Sequence, residues 1–320
     1  MMPAFASPIL KFADLPAGAA SIAGGKGASL GRMSGAGFPV PPGFVVCVQA
    51  FEAFLDEHGT RDLFARLTAN LDVRDDRALE DTSRQLCSAI LTNPLPTYIQ
   101  ISIRQSYEAL GAGIPVAVRS SAVAEDSEAA SFAGQQETFL NVSGAAAVTE
   151  HVRECWASFF SPRALFYRAQ KGSLSDTRMA VVVQEMACAE KSGVLFTIDP
   201  VSKLRDRLVV EAVFGLGEGI VSGLLTPDHY VLDRATGALA DEFIAIQTAA
   251  MVNDSENGGI QTVELTEEQG GARVLSAQEL EALRVMGMRL EEFFGKPQDV
   301  EWCIRRDELL LLQSRPITTM

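Results

Sequence analysis

The apolar residues of this chain fall into short blocks bounded by turn-forming residues. Three blocks, "MAVVVQEM", "KSGVLFTIDP" and "RLVVEAVFG", are rich in β-branched side chains, a composition typical of strands. Longer stretches such as "TYIQISIRQSYEALG" and "SAQELEALRVMGMRLEEFFG" carry apolar residues at helical spacing. No apolar run approaches the roughly 18 residues that a membrane-spanning helix needs. The pattern therefore predicts a chain of mixed helices and sheets that does not enter a membrane.

The length of 320 residues exceeds the size at which one hydrophobic core stops growing, about 250–300 residues. We therefore expect either one large two-lobed domain or two closely packed domains. Five scattered cysteines with no C-x-x-C pair indicate neither a disulfide framework nor a zinc site. The N-terminal segment lacks the basic and apolar regions of a secretion signal, so we predict a cytoplasmic protein.

The charge balance restricts the partners of the chain. It has 27 Lys and Arg against 41 Asp and Glu, a formal net charge of −14. Such a chain repels nucleic-acid phosphates, so nucleic-acid binding is not expected. A polyanionic ligand would have to be bound locally, by a few cations, by backbone amides or by a metal ion.

The C-terminal stretch "QDVEWCIRRDELLLLQSRPIT" predicts a hairpin. A tight turn centred on Asp307 would place Glu301 opposite Gln313 and Asp299 opposite Arg315. Two oxygen-bearing side chains and a cation on one sheet face suit Mg²⁺ with its attached phosphates.

The other face of the same hairpin is apolar. The register would place Trp302 opposite Leu312 and Ile304 opposite Leu310, and these four side chains would belong to the core. An ordinary half-exposed hairpin has the same pattern, so both interpretations stay open at this point.

The segment "AVRSSAVAEDSEAASFAGQQETF" has little apolar content, although it follows a strand-like stretch. Arg119, directly after that stretch, is placed to bind phosphate oxygens with its planar guanidinium. The small residues of "SFAGQQ" would let backbone N–H groups surround an anion. The alternative is a solvated loop held by one structural arginine.

Two glycine-rich stretches fail the standard nucleotide motifs. In "AGGKGASLG", Lys26 is followed by Gly27 where a phosphate loop requires Ser or Thr. In "GLGEGIVSG", Ile220 stands where the third glycine of a dinucleotide-binding motif would be. Each stretch suits a turn or a close packing contact, although a glycine-flanked lysine can also approach a phosphate.

Five stretches in this order resemble the ATP-binding domain shared by phosphoenolpyruvate synthase, pyruvate phosphate dikinase and rifamycin phosphotransferase. The resemblance covers nearly the whole chain. Its supporting stretches are "GGKGASLGRMSGAGFPVPPGFVV", "AVRSSAVAEDSEAASFAGQQETFLNV", "VVVQEMACAEKSGVLFTIDP", "VVEAVFGLGEGIVSGLLTPDHYVLD" and "DVEWCIRRDELLLLQSRPIT".

The resemblance implies an ATP-grasp fold of the α+β (α/β) class. Two lobes, expected at residues 1–180 and 181–320, would carry mixed or antiparallel sheets and enclose a cleft for ATP and Mg²⁺. The first lobe would include the loop that covers the phosphates, and the second the hairpin that binds metal and phosphate.

The resemblance also implies a set of ligand residues, at the positions where the motifs match. Lys26 and Arg119 are expected on the triphosphate and Arg315 on a further phosphate, and these cations are the candidate catalytic residues. Glu301 and Gln313 fall where the Mg²⁺ and phosphate ligands lie.

Five more residues follow from the same motifs. Gly134 and Thr138 are expected in the phosphate-covering loop and its following strand. Gln184, Glu185 and Met186 are expected where a strand edge meets adenine.

In the resembled family, the phosphoryl acceptor is a histidine on a separate swivelling domain. This sequence stops at "QSRPITTM", about where the linker to that domain begins, and its histidines, His58, His151 and His229, stand in none of that domain's motifs. His229 is expected to be a surface or ordering residue near the cleft.

The chain is therefore predicted to bind MgATP and donate phosphoryl groups to a histidine on another domain or subunit, as a dikinase-type enzyme that is incomplete without a histidine domain. The alternatives are the ATP-binding part of a rifamycin-type antibiotic phosphotransferase and a non-catalytic nucleotide-binding or regulatory module.

Overall fold

The computed structural model describes residues 7–123, 137–172, 174–202, 204–254 and 258–318. The chain divides into two compact units, the first formed by residues 1–36 and 42–186 and the second by 37–41 and 187–320. The boundary predicted between residues 180 and 181 falls inside the strand Met179–Glu185. The chain completes this strand in the sheet of the first unit, so the division comes after residue 186 instead.

The described part of the first unit contains strands β1 (Ile9–Lys11), β2 (Gly43–Val46), β3 (Val116–Ala122), β4 (Thr138–Val142) and β5 (Met179–Glu185). Its helices are α1 (Ala20–Gly35), α2 (Val48–Glu57), α3 (Thr60–Thr68), α4 (Asp76–Thr92), α5 (Thr97–Leu110), α6 (Ala145–Ser158) and α7 (Pro162–Gln170).

The strands of the first unit form an antiparallel sheet in the order β1-β2-β5-β3-β4. One face of the sheet, with Val116 and Val118, belongs to a large core that helices α2 to α7 complete. Phe51 and Trp156 stack within this core, with ring centroids 5.0 Å apart, and both are fully buried.

Helix α1 lies against the opposite face of this sheet. Ser121 Oγ donates a hydrogen bond to the carbonyl of Ala23 (2.8 Å) and accepts one from the N–H of Gly27 (3.2 Å). The helix is kinked at Gly24, where φ is +66° and a Cβ atom would lie 2.1 Å from the Ser121 carbonyl oxygen. Only glycine combines this backbone conformation with so close an approach.

The described part of the second unit contains strands β6 (Lys191–Phe196), β7 (Arg207–Phe214), β8 (Asp228–Asp233), β9 (Leu239–Phe243), β10 (Ala249–Asn253), β11 (Ile260–Glu264), β12 (Gln298–Arg305) and β13 (Glu308–Pro316). Its helices are α8 (Glu218–Val221), α9 (Glu267–Gly270) and α10 (Ala277–Phe294).

Six of these strands form an antiparallel sheet in the order β13-β12-β6-β7-β8-β9. Helix α10 packs against one face at β6 and β12, where Gly287 approaches Leu195. Side chains on that face, such as Trp302 and Tyr230, are fully buried. The polar stretch 252–271 contributes β11 and α9, and β11 pairs with β10.

The predicted α+β class is confirmed, because the three sheets of the described residues are antiparallel and helices pack against the two larger ones. Among the described residues, no helix combines the length and the apolar character that crossing a bilayer requires.

Candidate functional site

Arg119 lies on the face of the first sheet that helix α1 covers. It is half-buried, whereas its six neighbours in β3 are buried. Its Cα partners in the adjacent strands are Thr138 of β4 and Val182 of β5. Because paired residues project from the same face, Thr138, which is exposed, stands beside Arg119.

Lys26 reaches the same strand from helix α1. Its Nζ donates a hydrogen bond to the carbonyl oxygen of Ser120, 3.1 Å away. The contact between α1 and Ser121 brings this turn of the helix down onto the strand, so the Lys26 ammonium lies at the residue next to Arg119. The first unit thus brings two of the predicted phosphate-binding cations together.

Gln184, Glu185 and Met186 lie at the end of β5, which is an interior strand between β2 and β3. Gln184 is only 2% exposed, and the N–H groups of the next two residues donate to the carbonyls of Pro42 (2.8 Å) and Pro115 (2.9 Å). The expected position along a strand edge is therefore wrong: these residues lie at the end of a central strand. Gly134 and the rest of the predicted phosphate-covering loop, residues 124–136, lie outside the described residues.

The second unit contains the hairpin predicted from the C-terminal sequence. Glu301 pairs with Gln313 and Asp299 with Arg315, both as expected. Arg315 donates to Asp299 through Nε, at 2.8 Å. A carboxylate, an amide oxygen and a cation thus share one face, a combination that can bind a hard cation with a phosphate.

The register of the apolar half of the hairpin differs from the prediction. A β-bulge between Glu301 and Trp302 shifts the pairing by one residue, so that Trp302 pairs with Leu311 and Ile304 with Leu309. The bulge inserts Leu312 as the extra residue, and the pairs toward the turn lose the predicted alignment.

Leu310 and Leu312, which were predicted to share the face of Trp302 and Ile304, therefore do not lie opposite these residues. Leu310 and Leu312 contact Ala187 and Cys303 in a small cluster, whereas Leu311 is fully buried. The turn itself uses Arg306 and Asp307, both with positive φ (50° and 65°), as expected for a two-residue hairpin loop of type I′.

A row of side chains crosses this sheet at the level of Glu301. The chain of paired positions runs from Gln313 through Glu301, Val194 and Glu211 to His229. Paired residues project from one face of a sheet, so all five occupy the face opposite α10.

Sequence reasoning missed Glu211 as a member of this face. His229 Nδ1 lies 3.6 Å from Glu211 Oε1, and both side chains are partly exposed (39% and 30%). The available signal was a single carboxylate inside the apolar strand "RLVVEAVFG".

Asp299 has an unusual electrostatic environment. Burial raises the pKa of its carboxyl, and the opposing charge and hydrogen bond of Arg315 do not reverse the effect, while the charges of Glu301 and Glu211 add to it. The carboxylates of Asp299, Glu301 and Glu211 lie on this face, and a divalent cation would offset their charge. No three His, Cys, Asp or Glu side chains of the described residues are arranged to hold a metal, so a Mg²⁺ site here would use Glu301 with the amide oxygen of Gln313.

Comparison with known proteins gives a match over most of the chain. Residues 20–320 match the family described as pyruvate phosphate dikinase, AMP/ATP-binding domain. Probable phosphoenolpyruvate synthases from Archaeoglobus fulgidus and Methanocaldococcus jannaschii are 46% and 43% identical over 98% and 93% of this chain. A rifampicin phosphotransferase from Bacillus subtilis is 38% identical over 94% of it.

The chain spans only part of these relatives: 42% of the Archaeoglobus protein, 26% of the Methanocaldococcus protein and 34% of the Bacillus protein. Among solved structures, D-alanyl-alanine synthetase A from Vibrio cholerae aligns with 74% of this chain and 54% of its own, at 12% identity and a TM-score of 0.30. A likeness this loose does not bear on the fold.

Proposed function

Because this chain belongs to the family of pyruvate phosphate dikinase AMP/ATP-binding domains, we propose that it binds MgATP and donates phosphoryl groups to an acceptor histidine on another domain or subunit. The observation that carries the proposal is the pairing of Glu301 with Gln313 on an acidic sheet face beside Arg315. An amide and a carboxylate side by side suit Mg²⁺, which keeps several waters and binds one or two protein groups together with substrate phosphates.

Each residue has a defined role in this proposal. Lys26 and Arg119 bind triphosphate oxygens and offset their charge, and Thr138 lies beside Arg119 to take part in the same contact. Glu301 and Gln313 hold Mg²⁺, and Arg315 binds a further phosphate oxygen. The metal ion, when bound, neutralises charge on the transferring group.

The remaining proposed contacts involve the base and the loop. Gln184, Glu185 and Met186 bind adenine at the end of β5, where the chain leaves the first unit. Gly134 belongs to the loop proposed to cover the phosphates. The protein positions the reacting groups and stabilises the charge that develops on them, since phosphoryl transfer needs little covalent chemistry from the enzyme.

The acceptor is the part of the proposal that depends on the relatives. Their names include phosphoenolpyruvate synthase and rifampicin phosphotransferase, so both pyruvate and an antibiotic are candidate final acceptors. We propose that a histidine domain, in the same longer protein or in a partner, receives the phosphoryl group first, and that the protein works in the cytoplasm.

Binding is tested by titrating the chain with ATP, with and without Mg²⁺, and measuring the midpoint of thermal unfolding. A ligand that binds the folded state raises this midpoint, so MgATP is expected to stabilise the chain. Arg119→Ala and Glu301→Gln should each weaken MgATP binding about tenfold or more, because each removes a charged contact.

Two exposed residues give matched controls: Arg66→Ala for the arginine and Glu308→Gln, on the same hairpin, for the glutamate. Parent-like MgATP affinity in both site variants would contradict the site. A separately produced histidine domain from a phosphoenolpyruvate synthase, mixed with the chain and labelled ATP, tests transfer. MgATP binding without labelling of that domain would support the non-catalytic alternative.

A further inference from the structure

A surface cavity of about 650 Å³ lies along the C-terminal half of helix α10 in the second unit. Its volume is within the range of small-molecule sites, roughly 300–1,000 Å³. Four cations and two carboxylates line it, among them Arg205, Arg284, Arg289 and Glu291, together with the apolar side chains of Val285 and Met288. In a chain with a net charge of −14, an excess of cations in one cavity is a local reversal of charge.

Part of this charge is already compensated within the protein. Arg284 donates to Glu281 through Nε and Nη2 (2.8 and 2.7 Å), and Glu291 accepts from Arg234 at 2.8 Å. Arg284 and Glu291 are therefore already engaged by other residues of the protein, and neither is the main charge that a ligand in the cavity would contact.

Arg205 and Arg289 are different. Within the described part of the chain, neither makes an ion pair with a carboxylate, although carboxylates outnumber cations in the sequence. The guanidinium of Arg289 lies over the ring of Phe38, 5.2 Å from its centroid, which orients the group and leaves its edge donors available. Arginine forks of this kind match the oxygens of a phosphate group.

The cavity also has an apolar side. Val285 and Met288 line it from helix α10, and Val285 is 43% exposed. Val285 and Arg289 are four residues apart in helix α10, so an apolar side chain and a cation lie next to each other on one face of the helix. A ligand with an anionic group and an apolar or aromatic body would complement both parts.

We propose that this cavity is a binding site for a small organic phosphate. None of its lining residues belongs to the set proposed to bind MgATP, so the inference does not depend on the proposed function. Arg205 and Arg289 bind the phosphate oxygens, while Val285 and Met288 contact the organic part.

The test uses phenyl phosphate and inorganic phosphate as probes, titrated calorimetrically into the full chain without Mg²⁺. Phenyl phosphate should bind more tightly than inorganic phosphate, because only phenyl phosphate reaches the apolar side. Arg205→Ala and Arg289→Ala should each weaken phenyl phosphate binding about tenfold, as expected for loss of a charged hydrogen bond. Arg205 lies in an exposed loop, so Arg205→Ala is expected to fold normally. This variant therefore still tests the proposal if Arg289→Ala does not fold.

Arg119→Ala and Arg66→Ala serve as controls and should bind phenyl phosphate like the parent chain. Saturating MgATP should leave that binding unchanged. Loss of binding in Arg119→Ala, or competition by MgATP, would assign the probe to the nucleotide site and overturn the proposal. Parent-like binding in both cavity variants, equal affinity for the two probes, or no binding of either would also overturn it.

Discussion

Asp228 is a carboxylate with 0% exposure in the sheet of the second unit. It accepts hydrogen bonds from the backbone N–H groups of Ala245 (3.0 Å) and Val274 (2.9 Å) and from the hydroxyl of Tyr230 (2.7 Å). A buried charge is tolerated when donors surround it in this way. One side chain thereby fixes two loops to the start of β8, which is the strand that carries His229.

Asp228→Asn should lower the free energy of unfolding by about 2–3 kcal/mol, because the amide presents donors to backbone groups that are themselves donors. Urea denaturation measures this change. Asp241→Asn, an exposed carboxylate on β9, is the control and should change stability little. Equal stability of the two variants would contradict the role given to Asp228.

For single residues, the sequence pattern identified candidate binding residues, but it did not show which residues lie next to them. Arg119 and Lys26 were selected as phosphate-binding candidates, and the structure places the ammonium of one beside the strand that carries the other. Glu211 was not selected, because a carboxylate within an apolar strand is informative only when the neighbouring strands are known.

At the scale of elements, the close approach of β6 to β7 and β12 depends on Gly193. A Cβ atom there would lie 1.8 Å from the backbone oxygen of Glu211 and 2.7 Å from Cζ2 of Trp302. The strands must separate to admit any side chain at this position.

Gly193→Ala should therefore lower the free energy of unfolding by at least about 2 kcal/mol, as expected for overpacking against backbone. Gly35→Ala is the matched control, since a Cβ at this helix position meets nothing within 4 Å and alanine favours helices. Chemical denaturation compares the two, and a neutral Gly193→Ala would contradict the packing argument.

Helix α10 begins with a capping box of Ser276 and Glu279, and Glu279 also accepts from Lys191 Nζ at 2.7 Å. Burial favours the neutral acid, but the donors of Lys191 and Ser276 outweigh it, so the pKa of Glu279 lies below its ordinary value of 4.5. A lowered folded-state pKa contributes stability above the unfolded-state pKa, and that contribution is lost as pH falls through the folded value.

Glu279→Gln should thus lower the free energy of unfolding by about 1 kcal/mol at pH 7. The difference from the parent should shrink as the pH falls below 4.5 and through the lowered pKa. Denaturation curves across this pH range measure the effect, with the exposed Glu80→Gln as a control. A difference that stayed constant with pH would show that the charge of Glu279 is not responsible.

The pairing within the hairpin of β12 and β13 could be predicted from the sequence only in part. The turn predicted at Asp307 placed Glu301 opposite Gln313, and the structure confirms this pairing. The run from Leu309 to Leu312 has no polar residue to mark its two faces, so the bulge within it could not be predicted from alternation.

At the scale of the whole molecule, the chain contributes residues 37–41 to the second unit before it returns to complete the first. Phe38 is 8% exposed, and its ring meets the ring of Phe293 edge-on at a centroid distance of 5.4 Å. The N–H of Leu311 donates to the carbonyl of Pro39 at 2.8 Å. A segment from the early sequence thus stabilises the C-terminal unit.

Phe38→Ala should lower the free energy of unfolding of the second unit by about 2–3 kcal/mol through the cavity it leaves. Amide hydrogen exchange should become faster in α10 and stay unchanged in α4 and α6 of the first unit. Phe166→Ala, a substitution of a 42% exposed ring, is the control. Faster exchange confined to the first unit would contradict the assignment of Phe38.

The sequence by itself determined the α+β class, strands β5, β6 and β7, helices α5 and α10, the family resemblance and the polar face of the C-terminal hairpin. Those features depend on local periodicity, turn residues and ordered motifs, which neighbouring residues specify. The tertiary structure decided the division after residue 186, the interior position of β5, the bulge beside Glu301 and the row that includes Glu211 and His229. These features depend on which distant strands pair and in what register, and long-range packing, not local sequence, sets that pairing.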